Sequence, residues 1–211
     1  MNYIELKDIS KIIKRTTILH DINIRFEGGK VYGLKGKNGC GKTMLMRVIS
    51  GLIKPNTGKV IINNKELWKD ITFPESIGVL IENPSFIDSY TGFQNLKILA
   101  GIKNEIKDED IHNAMKMVGL EPDDKRKYRK YSLGMKQKLG VACAIMEKPD
   151  IIILDEPINA IDQTGVELIR KILDGLKKEG KIIIIACHDA EEMELLADEV
   201  FEMSDGTIID A

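Results

Sequence analysis

No stretch of about 20 consecutive apolar residues runs anywhere in the chain, and its opening, Met1-Asn2-Tyr3-Ile4-Glu5, lacks the basic and apolar pattern of a secretory leader. The sequence therefore predicts a chain that carries no signal peptide and does not cross a membrane by itself. Charge of one sign is not in excess either. Lys and Arg number 31 against 33 Asp and Glu, a formal net charge of −2, and no dense basic block stands out, which disfavours a dedicated nucleic-acid binder. Cysteine is sparse: Cys40, Cys143 and Cys187 are odd in number, scattered and not spaced as metal ligands, so they read as thiols kept reduced in a cytosol. Internal repeats and low-complexity tracts are absent. What remains is ordinary for a globular protein, with 43% hydrophobic and 30% charged residues over 211 positions. That length suits one domain, or a core with an inserted subdomain, able to bury an interior without disulfide or metal staples.

Against that background one segment carries chemistry. Gly36-Lys37-Asn38-Gly39-Cys40-Gly41-Lys42-Thr43 follows the apolar run Val31-Tyr32-Gly33-Leu34 and has the spacing of a phosphate-binding loop that joins a strand to a helix. The glycines let successive backbone N–H groups turn inward as an anion nest, and the helix that follows aims its positive end at the same point. In this reading Lys42 bridges the β- and γ-phosphates, and the Thr43 hydroxyl is one oxygen ligand of an octahedral Mg²⁺. The loop predicts a nucleotide binder. Cys40 within it needs only to be small.

The apolar pattern changes along the chain. Tyr3 to Asp8, Ile18 to Phe26 before Glu27-Gly28-Gly29, and Gly58 to Asn63 alternate as β-strands with turns. Between Thr91 and Glu147 the period lengthens. Asp108 is expected to cap a helix with Ile111, Met115 and Val118 on one face and a stop at Gly119, and Ser132 through Met146 gives a second helical stretch. After Pro149, the bare run Ile151-Ile152-Ile153-Leu154 reads as a parallel strand covered on both faces, and Ile182 to Ala186 repeats it. Helix-like segments follow each, Gln163 to Lys178 and Asp189 to Ala197. Glu199 to Met203, Asp205-Gly206 and Thr207 to Asp210 form a hairpin pattern. The predicted class is α/β: a mostly parallel sheet with flanking helices, an antiparallel β portion, and an inserted helical subdomain at about 86–148 within a core of about 1–85 and 149–211.

Asp155-Glu156 ends the buried strand at Leu154, where open α/β sheets place their ligand crevice. Two acids there call for something cationic opposite. Asp155 is the expected Mg²⁺ partner, through water, and Glu156 is placed to accept a proton from the attacking water or to orient it.

Together with these, Tyr131-Ser132-Leu133-Gly134-Met135-Lys136-Gln137-Lys138-Leu139, Ile158-Asn159-Ala160-Ile161-Asp162 and His188 complete a set of motifs, in order, that resembles the ATP-binding subunit of ABC transporters over essentially the whole chain. The resemblance implies a phosphate-loop NTPase core of the ABC type. It makes Asp155-Glu156-Pro157 a Walker B, places Asp162 in the D-loop, and makes His188 a switch histidine that donates a hydrogen bond to the γ-phosphate. It also implies that two such domains pair head to tail around ATP, the signature residues Ser132, Leu133, Gly134 and Met135 of one reaching the nucleotide on the other's loop. Ser132 and Gly134 precede a helical run, so a hydroxyl and free N–H groups face outward together, as an anion requires. The cofactors implied are ATP and Mg²⁺. The partners implied are an integral membrane permease and a second ATPase domain, as a homodimer or pseudo-symmetric heterodimer, at the cytoplasmic face of a membrane, with no nucleic acid.

Three motifs depart from the family pattern. Leu133 and Met135 stand where Gly and Gln are usual. In Ile77-Gly78-Val79-Leu80-Ile81-Glu82-Asn83-Pro84, Glu82 takes the place of the Q-loop glutamine. A carboxylate only accepts hydrogen bonds, and its charge is worth about 3 kcal/mol at about 5 Å with an effective dielectric of about 20, favourable beside Mg²⁺, where Glu82 joins Thr43 and Asp155 as a candidate metal residue, and unfavourable beside a γ-phosphate. This form resembles the branch of bacterial ABC ATPases associated with lantibiotic and bacitracin self-protection export. Ile13 aligns with the aromatic that usually stacks on adenine, so weak discrimination between ATP and GTP is expected. The aromatics and apolar residues Phe86, Ile87, Tyr90 and Phe93, close in sequence to Glu82, are the expected permease contact. The reading that follows is an ATPase subunit driving a separate permease, and the alternatives are an ABC ATPase without a transporter or a nucleotide-gated binding module with little turnover.

Overall fold

A computed structural model describes residues 2–210. The period-two segments build one sheet. β1 (Tyr3–Ile13) pairs antiparallel with β2 (Thr16–Glu27) and β4 (Thr57–Ile62), and β5 (Lys65–Glu66) closes the order β2-β1-β4-β5. β1 runs well past the expected end at Asp8. The charged pair Lys7-Asp8 breaks the alternation because Asp8 sits in a bulge, at φ 51, while pairing with β2 resumes at Ile9.

The continuous isoleucine runs build the other sheet. β3 (Lys30–Lys35), β6 (Ile77–Leu80), β7 (Ile151–Asp155), β8 (Ile182–Ala186), β9 (Glu199–Ser204) and β10 (Thr207–Asp210) lie in the order β10-β9-β3-β8-β7-β6, all parallel except the β9–β10 hairpin. Every residue of β7 and β8 is buried because successive side chains enter different cores. Ile151, Ile153, Ile182 and Ile184 face the antiparallel sheet and α1 (Lys42–Ile49), whereas Ile152, Leu154, Ile183 and Ile185 face the helices. Truncating any of these to Ala costs about 2–5 kcal/mol.

The helices on that second face are α3 (Asp108–Met117), α4 (Leu133–Ile145) and α5 (Gln163–Lys178). In α5, Val166, Ile169, Ile172, Leu173 and Leu176 recur every three or four residues and are buried. α4 lies so close to β6 that a Cβ on Gly78 would stand 1.7 Å from the Ala144 carbonyl oxygen. α2 (Gly92–Lys103) is capped by Thr91 and Gln94 in a reciprocal box, so helix begins at Gly92 and the stretch from Phe86 to Tyr90 is not helical. Asp108 does not cap α3. It is the first helical residue, and Asp110 instead accepts from the Lys107 N–H at 3.1 Å. α6 (Ala190–Leu196) is capped by Asp189. No helix among the described residues is long and apolar enough to cross a membrane.

Candidate nucleotide site

Parallel pairing levels three strand ends. Leu34 of β3 lies opposite Ala186 of β8, and Ala186 lies opposite Asp155 of β7, so the residues just beyond them share one rim. From β3 the chain turns through Gly36, Gly39 and Gly41 at φ 150, 83 and 111, a region that side chains rarely enter. At Gly36 the turn is also tight, since a Cβ would lie 2.3 Å from the Met203 carbonyl oxygen. α1 then starts at Lys42 with no side-chain cap and no acid in its first turn, leaving its positive end bare. The Lys42 ammonium, buried, donates to the carbonyls of Gly36 at 2.7 Å and Lys37 at 3.2 Å. It is held by its own loop.

A cavity of about 290 Å³ opens here, lined by Asn38, Gly39, Lys42, Thr43, Asp155 and Glu156. The Thr43 hydroxyl donates to Asp155 Oδ2 at 2.8 Å. Burial raises the Asp155 pKa, opposed by the Thr43 hydrogen bond, and only 7% of the residue is exposed. These are hard oxygens of the kind Mg²⁺ takes, and among the described residues no cluster of three or more His, Cys, Asp or Glu could hold a metal by itself. That fits an ion completed by phosphate oxygens and water. Glu156 leaves the strand at φ 51, its N–H donating to Ala186 O at 2.9 Å and its carbonyl accepting from Gln137 Nε2 at 2.7 Å. Its carboxylate Oε2 lies 2.7 Å from Nδ1 of the exposed His188 ring. The residues read from the sequence as loop, metal partner, base and switch thus meet, across 112 residues for Thr43 and Asp155 and 32 for Glu156 and His188.

Other candidates lie elsewhere. Ile13, at the end of β1, is 37% exposed and does not line the cavity. Ile18 lines it instead, because the β1–β2 hairpin carries the Ile18 carbonyl to within 3.1 Å of where a Gly41 Cβ would be. Alignment to a stacking aromatic could not reveal that. Glu82, at φ 63, turns its carboxylate to Arg47 at 2.6 Å and also stays out of the cavity. Gln137 and Arg47 were not singled out from the sequence, since their roles depend on partners in distant strands.

The signature residues Ser132, Leu133, Gly134 and Met135 open α4, away from the cavity of their own chain. The Ser132 hydroxyl caps the helix, accepting from Met135 N–H at 3.2 Å, and Leu133 is 61% exposed. Gly134 packs on the D-loop, where a Cβ would lie 2.6 Å from the Ala160 carbonyl oxygen. Asp162 caps α5 and takes a hydrogen bond from Lys138 at 3.0 Å, which lowers its pKa. Phe86 stands edge-on to Tyr128 and Phe93 stacks on His112, so these two pack inward, while Ile87 and Tyr90 are exposed.

The family model for ABC transporter matches residues 19–159. The chain is 49% identical over 205 residues to the uncharacterized ABC transporter ATP-binding protein YybJ of Bacillus subtilis (strain 168), covering 97% of this chain and 94% of that protein. It is 38% identical to the bacitracin transport ATP-binding protein BcrA of Enterococcus faecalis, over 98% of this chain and 68% of that protein. The dimeric structure of MJ0796, a bacterial ABC transporter cassette, superposes with a TM-score of 0.89 at 25% identity, covering 98% and 97% of the two chains. Matched in its loop, its strand-end acids and its fold, the chain belongs to the ABC transporter family, as an ATP-binding and ATP-hydrolysing subunit.

Proposed function

We propose that this subunit grips MgATP with Gly36–Thr43, closes on a second ATPase domain, and passes that closure to a separate membrane permease. The observation that carries the reading is the convergence of Thr43, Asp155 and Glu156 on one cavity beneath a bare helix end, with His188 against the Glu156 carboxylate. Lys42 exchanges its loop carbonyls for the β- and γ-phosphates, a move of an already desolvated ammonium. Thr43 and Asp155 offer oxygens for Mg²⁺, which when bound neutralises phosphate charge. Glu156 accepts a proton from the attacking water or orients it, and His188 donates to the γ-phosphate. Gln137 fixes the Glu156 backbone so that its carboxylate is aimed rather than free. Ser132 and Gly134 of the second domain complete the grip, with Leu133, Met135 and Asp162 at the seam.

BcrA is a bacitracin transport ATP-binding protein, and for this chain the work proposed is export of a peptide antibiotic from the cytoplasmic face of a membrane. Exposed Ile87 and Tyr90 are the candidate permease contact. The second domain is a copy of this chain or a close homologue.

Glu156→Gln should bind MgATP, lose most phosphate release and sediment as a dimer with MgATP; turnover near that of the unaltered protein removes Glu156 from the role of base. Ile18 rather than an aromatic ring edges the cavity, so ATP and GTP should compete for a fluorescent nucleotide within about tenfold, against the ~1–3 kcal/mol that an aromatic stack supplies. A preference far beyond that means another residue reads the base.

A further inference from the structure

Arg47 lies four residues after Thr43 on α1, one turn along the same face. Its Nη2 is 2.6 Å from Oε1 of Glu82. Glu82 follows β6 in a left-handed conformation, φ 63, which a non-glycine residue holds only when its surroundings fix it. Leu80 pairs with Leu154, so Glu82 and Asp155 stand at neighbouring strand ends, and Asp155 accepts from the Thr43 hydroxyl at 2.8 Å. Two side chains of α1 thus reach two neighbouring strand ends, Thr43 to Asp155 and Arg47 to Glu82. The Glu82 carboxylate is turned to Arg47 and is not among the groups that line the cavity.

We propose that Arg47 is a positioning residue for the ATPase reaction. Its guanidinium holds the Glu82 carboxylate turned off the Thr43–Asp155 position, so that an acid standing where the family has an amide does not repel the bound triphosphate. The inference rests on the reading that Gly36–Thr43 holds that triphosphate. A carboxylate has only acceptors, so near phosphate oxygens it has nothing to offer and must be neutralised or moved. Arg47 does both, and the fixed fork of a guanidinium directs the carboxylate as a lysine ammonium does not. The pair adds little to folding, since 31% of the Arg47 side chain and 61% of the Glu82 side chain remain in solvent. Its consequence is local, at the nucleotide.

The test is a double-mutant cycle on the affinity for a fluorescent MgATP analogue, with turnover not required. Arg47→Met should weaken binding about tenfold in the presence of Glu82, yet less than about twofold in the Glu82→Gln background, where there is no charge left to hold. Arg47→Lys, a cation without the fork, should fall between the unaltered protein and Arg47→Met. Equal loss in both backgrounds makes Arg47 a contact of α1 independent of Glu82, and no loss in either removes it from the site; each overturns the proposal. Lys42→Ala separates the two levels of the argument. If it binds as tightly as the unaltered protein, the site reading itself fails; if it does not bind and Glu82→Gln fails to rescue Arg47→Met, only the role of Arg47 fails.

Discussion

The first turns of the helices fall into two kinds. α3 opens with Asp108, Glu109 and Asp110, and α6 opens with Glu191 and Glu192 behind the Asp189 cap. These acids offset the positive helix end, and nothing more is wanted there. α1, α2, α4 and α5 carry no acid in the first turn, and α2 and α5 are closed instead by the Thr91 and Asp162 side-chain caps. α1 leaves its end facing the cavity with Lys42 beside it, and α4 leaves its end at the surface under exposed Leu133 and its own Ser132 cap. Among the α-helices of the described residues, only α1 has neither a first-turn acid nor a side-chain cap. An N-terminus therefore says little by itself. Its first-turn charges and its cap together say whether the fold has already closed it.

That comparison can be broken by giving α4 what α3 has. Met135→Glu places an acid in the first turn of α4 and should stabilise the isolated subunit by about 0.3–1 kcal/mol through the dipole. It should also abolish the MgATP-dependent dimer, because the new charge faces the partner's triphosphate. Chemical denaturation and sedimentation measure the two effects, and a dimer of unchanged strength would mean that the α4 end meets no anion.

A smaller effect sharpens the α1 side. The Asp155 pKa is raised by burial, so at neutral pH the folded state carries a carboxylate that the unfolded chain would hold more cheaply in water. The penalty shrinks as pH falls through the raised folded value toward the ordinary 3.8, since the folded state then binds the proton more readily. Asp155→Asn keeps an oxygen for Thr43 without the charge and should raise the melting temperature of the nucleotide-free protein by about 2–4 °C at neutral pH, a gain that narrows on acidification. The additional shift that Mg²⁺ gives with ATP should disappear. A lower melting temperature without nucleotide would mean that the Asp155 charge stabilises the empty site.

Much of this was legible in the residues. The glycine spacing of 36–43, the isoleucine runs at β7 and β8, and the 3.6 period of α5 are local patterns, and the structure follows them closely; β8 and α5 have the bounds expected. Patterns shorter than a turn or broken by a bulge were not. β6 has only four residues and β5 two, and β1 continues through the bulge at Asp8. At the site, chemistry named Thr43, Asp155, Glu156 and His188 one by one, but their meeting depends on the register of β3, β8 and β7, which no window of sequence contains. The sign of the Glu82 substitution was open for the same reason. It turns on whether the carboxylate lies nearer a cation or a phosphate, and Arg47, 35 residues upstream, decides it.

The central claim is that the Ser132-capped end of α4 in one copy meets the triphosphate on α1 of another. Asn38→Cys and Ser132→Cys, each purified separately in the Glu156→Gln background and then mixed, test it with a short bis-maleimide. The account predicts a cross-linked dimer in the mixture with MgATP, and little in either protein alone or without nucleotide. A mixture that stays uncross-linked at saturating MgATP, or cross-links equally without it, contradicts the account.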